Sequence, residues 1–521
     1  DYFLGGRDAT WLAIGASIFA SNIGSEHLIG LAGAGASSGM AMAHWEIQGW
    51  MILILGWVFV PFYTRSMVYT MPEFLERRYN PQSRTILSVI SLVSYVLTKV
   101  AVTVYAGGLV FQQVFGIKEL WGIDFFWIAA IGLVVLTALY TIFGGMKSVL
   151  YTSVLQTPIL LLGSLIILVL GFKELGGWDE MMRVCGAVTV NDYGDTMTNL
   201  IRSNDDANFP WLGALIGSAI IGFWYWCTDQ FIVQRVLSGK NEMEARRGTI
   251  FGAYLKLLPV FLFLIPGMIA FALHQKYIGA GGEGFLPMLA NGTANADAAF
   301  PTLVAKLLPA GVKGLVVCGI LAALMSSLAS LFNSSAMLFT IDFYKRFKPE
   351  TPEKKLVGIG QIATIVIVVL GILWIPIMRS VGDVLYTYLQ DVQSVLAPGI
   401  AAAFLLGICW KRTSAQGGMW GLISGMVIGL TRLGAKVYYS NAGEVADSTF
   451  KYLFYDMNWL FFCGWMFLFC IIVVIVVSLA TEAPTAEKIQ GLVFGTATKE
   501  QKAATRASWN HWDIIHTVII L

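Results

Sequence analysis

Runs of twenty or more mainly apolar residues recur along the whole chain, and this pattern constrains the fold more than any other feature. A helix needs about 20 apolar residues to cross the hydrocarbon core of a bilayer, so each run is long enough to span a membrane. Only 13% of the residues are charged, which is about half of the share found in a soluble domain. The chain is therefore predicted to be an all-α polytopic membrane protein, and we expect it in the cell (plasma) membrane.

Twelve complete spans are predicted from these runs. In order, they cover residues 10–36, 42–64, 85–115, 122–144, 148–172, 211–234, 250–275, 312–344, 355–378, 382–409, 415–433 and 457–480. Most of the 34 Lys and Arg residues fall in one alternating set of loops, which predicts that this set is cytoplasmic. The two longest polar stretches, 173–210 and 276–311, then lie outside. The polar lead-in at Asp1 and the apolar segment ending at Leu521 lead us to expect a further span before the chain and a completed one after it.

The first span carries a polar patch and several glycines at its centre, within residues 16–39. The members of the patch are Ser21, Asn22, Gly24, Ser25, Glu26 and His27. A helix interrupted at this point leaves backbone N–H and C=O groups unpaired, which is tolerated in a membrane only where the break lines a cavity or binds an ion. Freed carbonyls beside Ser and Asn oxygens suit a small hard cation. The alternative is a helix whose small residues only pack tightly against neighbours.

The eighth span offers oxygens that complement this break. Ala323, Ser326 and Ser327 stand at i, i+3 and i+4 and therefore share one helix face. Combined with freed carbonyls of the first span, their oxygens would form a shell suited to Na⁺. Taken alone, such a face is typical of helix packing.

A second set of residues has a different chemistry. It contains His27, Glu46, Lys256, Gln390 and the three adjacent aromatic residues 224–226. A sugar requires many hydrogen bonds and an aromatic face against its C–H groups, and these side chains supply both. The alternative is that the aromatic cluster forms an interfacial belt and that the polar residues are structural. Spacing alone does not bring the set into one pocket.

Several long motifs carry a resemblance to a known family. They are FLGGRDATWLAIGASIFASNIGSEHLIGLAGAGASSG, LGWVFVPFY, TMPEFL, WYWCTDQFIVQR, YLKLLP, LMSSLASLFNSS, FTIDFY and FLLGICWKR. In these stretches the chain resembles the sodium/solute symporter family, in particular its sodium–glucose cotransporter branch. The resemblance implies a LeuT-like fold of two inverted five-helix repeats with discontinuous first and sixth core helices. We accordingly expect the repeats at 1–172 and 211–409, an extracellular loop at 173–210 and peripheral helices at 410–521.

The same resemblance implies the residues of two sites. The Na⁺ site comprises the carbonyls of Ala20, Ile23 and Ala323 and the hydroxyls of Ser326 and Ser327. The sugar contacts comprise Asn22, His27, Glu46, Trp226, Lys256 and Gln390, and Tyr225 matches the tyrosine that stacks under the sugar on its inner side.

Three positions depart from the family pattern. Ser153 stands where the family often has an acid, which puts a second Na⁺ in doubt. Gly222 stands where Asn or Thr is frequent, which removes one sugar contact. Thr103 stands where close relatives can have an aspartate, so Lys99 lacks that partner.

The expected function is Na⁺-driven symport of a glucose- or galactose-like sugar by alternating access, with one Na⁺ per sugar. The alternatives are another solute, such as inositol or a sugar acid, and a sugar sensor that does not transport. A channel would need a pore lined by repeated rings of charged groups or backbone carbonyls. An enzyme would need a nucleophile–base pair, a phosphate loop or a metal-ligand cluster. None of these is visible, so we expect no catalysis.

The expected partners are the sugar, Na⁺ and the lipid bilayer. A net charge of +2 gives no reason to expect nucleic acid, and no obligate protein partner is evident.

Overall fold

The computed structural model describes residues 4–24, 26–289, 292–379, 385–441 and 446–521. Ser25 of the polar patch and the predicted start of the tenth span at residue 382 lie outside these ranges. Within them, nine helices are long and apolar enough to cross a membrane, and a multi-pass membrane protein is confirmed. The first and fourth predicted spans contain shorter apolar helices, and the eleventh is long but less apolar.

The first half of the described chain is built from interrupted helices. The first two predicted spans contain Trp11–Asn22, Glu26–Leu31, Ala32–Ser38, Gly39–Met42, Ala43–Glu46, Gly49–Ile54, Leu55–Phe59 and Val60–Ser66. The connector Met71–Arg78 leads to the third span, which contains Pro81–Ser94, Tyr95–Val100 and Ala101–Phe115. A short antiparallel hairpin, Glu119–Leu120 with Ile123–Asp124, precedes the fourth span.

The second half has longer helices. The sixth span contains Trp211–Gly222, Phe223–Thr228 and Gln230–Leu237, and the seventh contains Glu242–Lys256, Val260–Leu264 and Ile265–Gly279. The eighth contains Ala310–Met337, Leu338–Tyr344 and Lys345–Phe347. The ninth to twelfth are Glu353–Arg379, Leu385–Cys409, Ala415–Asn441 and Trp459–Ala480. Shorter helices lie at Gly5–Arg7, Trp178–Gly186, Ala296–Ala298, Ala299–Leu307, Thr449–Lys451, Tyr452–Asp456, Ala486–Ile489, Lys499–Ala507 and His511–Ile520.

The fourth and fifth spans form one helical run, Phe125–Leu175, with a sharp change of direction inside it. The Asp124 side chain caps its start by accepting a hydrogen bond from the Phe126 N–H, which satisfies a donor of the first turn. The change of direction occurs at Gly145, whose φ of 56° and ψ of −154° are accessible to glycine and strained for other residues. The predicted boundary between the two spans therefore corresponds to a glycine hinge.

The first and sixth core helices are discontinuous, as predicted. The first helix ends at Asn22, where Ile23 takes an extended conformation with φ −82° and ψ 96°. The sixth is interrupted at Asp229, with φ −75° and ψ 127°. The tenth span packs against the segments of both helices next to these breaks, and the eighth packs against the first and the fifth. The two breaks therefore lie at the centre of the bundle.

The stretch predicted as an extracellular loop closes over one end of this bundle. It contains the helix Trp178–Gly186 and then folds back on the junction between the first and second spans. The Met40 N–H donates to the Met197 carbonyl at 2.8 Å, and Arg202 donates to the Ser38 carbonyl. Gly39 has φ 70°, and a Cβ at this position would overlap the Met197 backbone. The tight contact between loop and junction therefore depends on that glycine.

Candidate functional site: a cation site and a solute cavity at a broken helix

The break in the first span faces the serines of the eighth. The Ser327 hydroxyl donates to the Ser21 carbonyl at 3.0 Å. A Cβ on Gly24 would overlap the Ser327 side chain, so a larger residue there would force the two helices apart. The absence of a side chain at Gly24 therefore allows the broken backbone and the serine face to meet.

The five predicted Na⁺ ligands are all buried around this contact. Ala20 lies in the last turn before the break, Ile23 lies at the break, and Ala323 lies one turn before Ser326 and Ser327. Because Ile23 leaves the helical conformation, the carbonyls of the last turn are not covered by a continuing helix. The oxygens available here are neutral, and in the described part of the chain no group of three His, Cys, Asp or Glu residues could hold a metal ion. Neutral oxygens of this kind suit an alkali cation better than a transition metal.

Further hydroxyl groups surround the same point. The Ser153 and Ser326 hydroxyl oxygens are 3.3 Å apart, and those of Ser21 and Ser330 are 2.7 Å apart. Thr157 donates to the Ala16 carbonyl at 3.3 Å. The fifth span thus reaches the first and eighth spans beside the predicted cation site.

The seven predicted solute residues line one cavity, which has a volume of about 30 Å³. They are Asn22, His27, Glu46, Tyr225, Trp226, Lys256 and Gln390. This volume is far below the roughly 300–1,000 Å³ of a typical small-molecule pocket, so a sugar would need the surrounding side chains to move apart. The structure therefore brings together side chains from the first, second, sixth, seventh and tenth spans, which spacing alone could not do.

A buried ion pair organises the polar side of this cavity. The Glu46 carboxylate lies 2.5 Å from the Lys256 Nζ and 3.1 Å from the His27 Nε2. His27 Nε2 is also 3.4 Å from the Asn22 amide nitrogen. Because Lys256 is paired with Glu46, the cavity presents hydrogen-bonding groups without a cation that lacks a counter-ion.

Four buried polar atoms of the cavity wall have no hydrogen-bond partner in the described part of the chain. They are Gln390 Oε1, Gln393 Nε2, His27 Nδ1 and Trp45 Nε1. Buried polar groups are almost always hydrogen-bonded, so such a cluster calls for a polar ligand or ordered water. The set contains both donors and acceptors. A neutral polar solute with several hydroxyl groups would satisfy it.

The aromatic wall of the cavity is buried. Trp224, Tyr225 and Trp226 are each at most 6% exposed, so the interpretation of this cluster as an interfacial belt is wrong. Lys256 lies 5.4 Å from the centre of the Trp226 ring, and Lys99 lies 4.6 Å from that of Tyr225. Tyr225 and Trp226 are therefore part of the cavity wall, and each ring lies against a buried lysine.

Lys99 has a partner that sequence reasoning did not identify. Its Nζ lies 2.5 Å from the Asp229 carboxylate, which also accepts a hydrogen bond of 2.6 Å from the Tyr95 hydroxyl. Asp229 lies at the break in the sixth helix, where its side chain also accepts from the Phe231 N–H. Lys99 is thus half of a buried ion pair, and Asp229 takes the place of the aspartate that position 103 lacks.

Six cavity residues were not predicted as part of the site: Glu26, Trp45, Gln48, Ile221, Gly222 and Gln393. Trp45 and Gln393 had a usable signal, since each lies within one helical turn of a predicted residue, Glu46 or Gln390. Glu26 was visible as an acid inside an apolar span. Nothing in the sequence marked Gln48 or Ile221 as part of a site. Gly222 was noted only because its missing side chain removes one expected sugar contact.

Comparison with known proteins identifies the family. The sequence profile of the Sodium:solute symporter family matches residues 2–425. The human sodium/myo-inositol cotransporter 2 is 37% identical over 508 residues, covering 95% of this chain and 74% of that protein. The sheep (Ovis aries) sodium/glucose cotransporter 1 is 38% identical over 499 residues, covering 92% and 74%.

A solved structure supports the fold. The substrate-bound, outward-open state of a Na⁺-coupled sialic acid symporter superposes with a TM-score of 0.74 at 22% identity, covering 93% of this chain and 92% of that one. The predicted LeuT-like fold, with its discontinuous first and sixth core helices, is confirmed. The profile match and the relatives also establish Na⁺ as the co-transported ion. The chain therefore belongs to the sodium:solute symporter family and is a Na⁺-coupled membrane symporter of a small solute.

Proposed function

We propose that this symporter carries an uncharged sugar of the glucose or galactose type into the cell together with Na⁺, by alternating access and with one Na⁺ per sugar. The observation that carries the proposal is the group of four unpartnered donors and acceptors in the cavity wall, which includes Gln390 Oε1 and His27 Nδ1. A hydroxyl can donate and accept at once, so a sugar matches such a mixed set better than a purely donating or accepting solute. Tyr225 and Trp226 add ring faces for the C–H groups of the sugar.

The ion pair argues against a sugar acid. A carboxylate solute would need a cation to offset its desolvation, and Lys256 is already 2.5 Å from Glu46. Glu26, the other acidic side chain among the cavity-lining residues, offers no positive charge either. A negatively charged solute would therefore find no unpaired cation in this cavity, whereas a neutral polyol needs none.

myo-Inositol is the second candidate solute. Two human relatives, each 37% identical, are named sodium/myo-inositol cotransporters, whereas the sheep relative is named a sodium/glucose cotransporter. Inositol is also a neutral six-membered ring with hydroxyl groups around its edge. The same donors and acceptors would bind either ring, so the choice between them depends on the positions of individual hydroxyl groups.

The broken first helix provides a physical basis for coupling. Ala20 and Ile23 of the proposed cation site and Asn22 and His27 of the solute cavity lie within one short stretch around the break. A cation bound to the freed carbonyls would fix the backbone of this stretch. Fixing it would also fix the side chains of Asn22 and His27, so Na⁺ would raise the affinity for the solute and the solute would raise the affinity for Na⁺.

Equilibrium binding to the purified protein tests this proposal. Labelled glucose, galactose, myo-inositol and glucuronate are compared in Na⁺ and in choline at equal ionic strength. We expect a neutral ring to bind in Na⁺, much weaker binding in choline, and no preference for glucuronate. Stronger binding of glucuronate, or sugar binding that does not depend on Na⁺, would contradict the proposal.

A further inference from the structure

Gln48 occupies an irregular point of the second span, two residues after the Glu46 of the solute cavity. Ile47 and Gln48 separate the helices Ala43–Glu46 and Gly49–Ile54, and Gln48 has φ −77° and ψ 25°. The Gln48 side chain is only 3% exposed and lines the cavity. The interruption therefore places a buried amide beside the solute space.

The orientation of this amide is fixed by one hydrogen bond. Gln48 Nε2 donates to the Ser218 carbonyl of the sixth span at 3.0 Å. A carbonyl can only accept, so the nitrogen faces Ser218 and Oε1 is the opposite end of the amide. In the described part of the chain this is the only hydrogen bond made by the Gln48 side chain. The acceptor Oε1 is therefore left without a protein donor.

Gly222 makes room for that oxygen. It follows Ser218 by four residues, so the two positions lie one above the other on the same helix face. A Cβ at Gly222 would overlap Gln48 Oε1. The φ of −62° and ψ of −40° at Gly222 are ordinary helical values, and glycine is a poor helix former. The backbone thus gives no reason for glycine here, whereas the close approach of Gln48 does.

Both residues also lie next to the aromatic wall. Tyr225 and Trp226 stand three and four residues after Gly222, on the face of the sixth span that lines the cavity. Gln48 Oε1 lies against Gly222, one turn before these rings. It therefore supplies a hydrogen-bond acceptor at a point where the sixth span itself has no side chain.

We infer that Gln48 is a specificity-determining residue, whose Oε1 accepts a hydrogen bond from one hydroxyl group of the transported solute. The inference rests on the proposed function and names one contact within it. Ser218 and Gly222 act as positioning residues, one through its carbonyl and the other through its missing side chain. The contact favours solutes that have a hydroxyl at the matching ring position.

Transport of a monodeoxy series tests the inference. Na⁺-driven uptake of glucose and of each monodeoxyglucose into proteoliposomes is measured for the wild type and for Gln48→Met, which keeps the length of the side chain without the amide. We expect Gln48→Met to lower the efficiency for glucose by about tenfold or more. The deoxy analogue that lacks the contacting hydroxyl should be transported less efficiently than glucose by the wild type, and Gln48→Met should not lower its efficiency further. Its disadvantage relative to glucose should therefore disappear in the variant. The matched control is Gln361→Met, because the Gln361 amide donates to the Ile142 carbonyl at 3.0 Å and is not among the cavity-lining residues.

A second variant keeps the test decisive if Gln48→Met folds poorly. Gly222→Ala should displace the amide and reproduce the selectivity change, and it should have little further effect in a Gln48→Ala background. An equal loss for glucose and every analogue, or no loss, would overturn the role of Gln48 while leaving the symporter proposal intact. If the wild type transports neither glucose nor myo-inositol in Na⁺, the proposed function fails and this inference fails with it.

Discussion

The hydroxyl oxygens of Ser153 and Ser326 lie 3.3 Å apart, which joins the fifth and eighth spans beside the broken first helix. Ser153 also donates to the Val149 carbonyl at 2.6 Å. The position at which the family often has an acid is therefore adjacent to a ligand of the proposed cation site, and in this chain it is neutral.

A neutral Ser153 predicts one Na⁺ per solute. One neutral hydroxyl does little to offset the desolvation of a second cation in a low-dielectric site. A tenfold Na⁺ gradient supplies about 1.4 kcal/mol per ion, and a potential of about 100 mV adds about 2.3 kcal/mol. One ion thus supports accumulation on the order of several hundredfold, and two ions would square that ratio. The reversal potential of coupled transport, measured at several Na⁺ and sugar gradients, distinguishes the two schemes.

The substitution Ser153→Asp provides the complementary experiment. A carboxylate at this position would lie next to Ser326 and could hold a second cation, so we expect the ratio of Na⁺ to solute to rise. A wild-type reversal potential that requires two Na⁺ would contradict the one-ion prediction. In that case Ser21 and Ser330, whose hydroxyl oxygens are 2.7 Å apart, would be the next candidates for the second site.

Ser327→Ala should weaken Na⁺ binding. The Ser327 hydroxyl lies 3.0 Å from the Ser21 carbonyl at the break, and its removal takes away one oxygen of the proposed shell. We expect a loss of roughly 1–3 kcal/mol in Na⁺ affinity, with little change in protein yield. The Na⁺ concentration for half-maximal uptake measures it.

Ser334→Ala is the matched control for this substitution. Ser334 is a buried serine on the same helix, and its hydroxyl lies 2.9 Å from both Gln234 Oε1 and the Ser330 carbonyl, with no hydrogen bond to the first span in the described residues. Its loss should leave the Na⁺ dependence close to that of the wild type. An unchanged Na⁺ dependence in Ser327→Ala would mean that the ion is bound elsewhere.

Gln390→Ala and Glu46→Ala should each impair sugar transport. Gln390 Oε1 is buried without a protein partner in the described residues, so its proposed partner is the solute. Removing a buried hydrogen-bonding group from a polar recognition site reduces efficiency by about 10²-fold or more. Uptake measured over a range of sugar concentrations gives the size of the loss. Normal uptake by both variants would place the solute site elsewhere.

The Glu46 variant needs a further control, because its carboxylate also pairs with Lys256 at 2.5 Å. Removing one partner of a buried pair leaves an uncompensated charge, which typically destabilises a protein by about 3–5 kcal/mol. The double variant Glu46→Ala with Lys256→Met removes both charges. We expect it to recover thermal stability without recovering transport, which separates the structural effect from the loss of solute contacts.

Tyr225 should act through its ring. If the ring stacks under the solute, Tyr225→Phe retains the face and should preserve most of the transport, whereas Tyr225→Ala removes it and should not. Exchange of labelled sugar across the membrane measures both variants. Exchange at the wild-type rate in Tyr225→Ala would show that the ring only packs against Trp226, whose centre lies 5.0 Å away.

Much of the fold follows from the sequence because membrane insertion constrains the chain strongly. Apolar length locates most spans, and the polar patch at Asn22 and Gly24 locates the first break. The seventh span shows the limit of this approach, since its helix begins at Glu242 rather than at the predicted residue 250. Asn241 caps that helix by accepting from the Glu244 N–H, and a capped helix can continue through polar residues into water.

Side-chain partners across the bundle were harder to predict. Lys99 and Asp229 are 130 residues apart, and their pairing depends on how the third and sixth spans are rotated against each other. Gln48 reaches the cavity only because the helix is irregular at Ile47 and because Gly222 leaves space. A hydrophobic pattern records which residues are buried, but it does not record the helix rotations that bring particular polar atoms together.

Uptake of labelled glucose into proteoliposomes, with and without an inward Na⁺ gradient, tests the central claim of Na⁺-driven sugar transport most directly. We predict accumulation above the outside concentration when Na⁺ is higher outside, and only equilibration or no entry when Na⁺ is equal on both sides or replaced by choline. The same experiment with myo-inositol identifies the better solute. Binding without entry would indicate a sensor, and entry that never exceeds equilibrium under a Na⁺ gradient would contradict coupled symport.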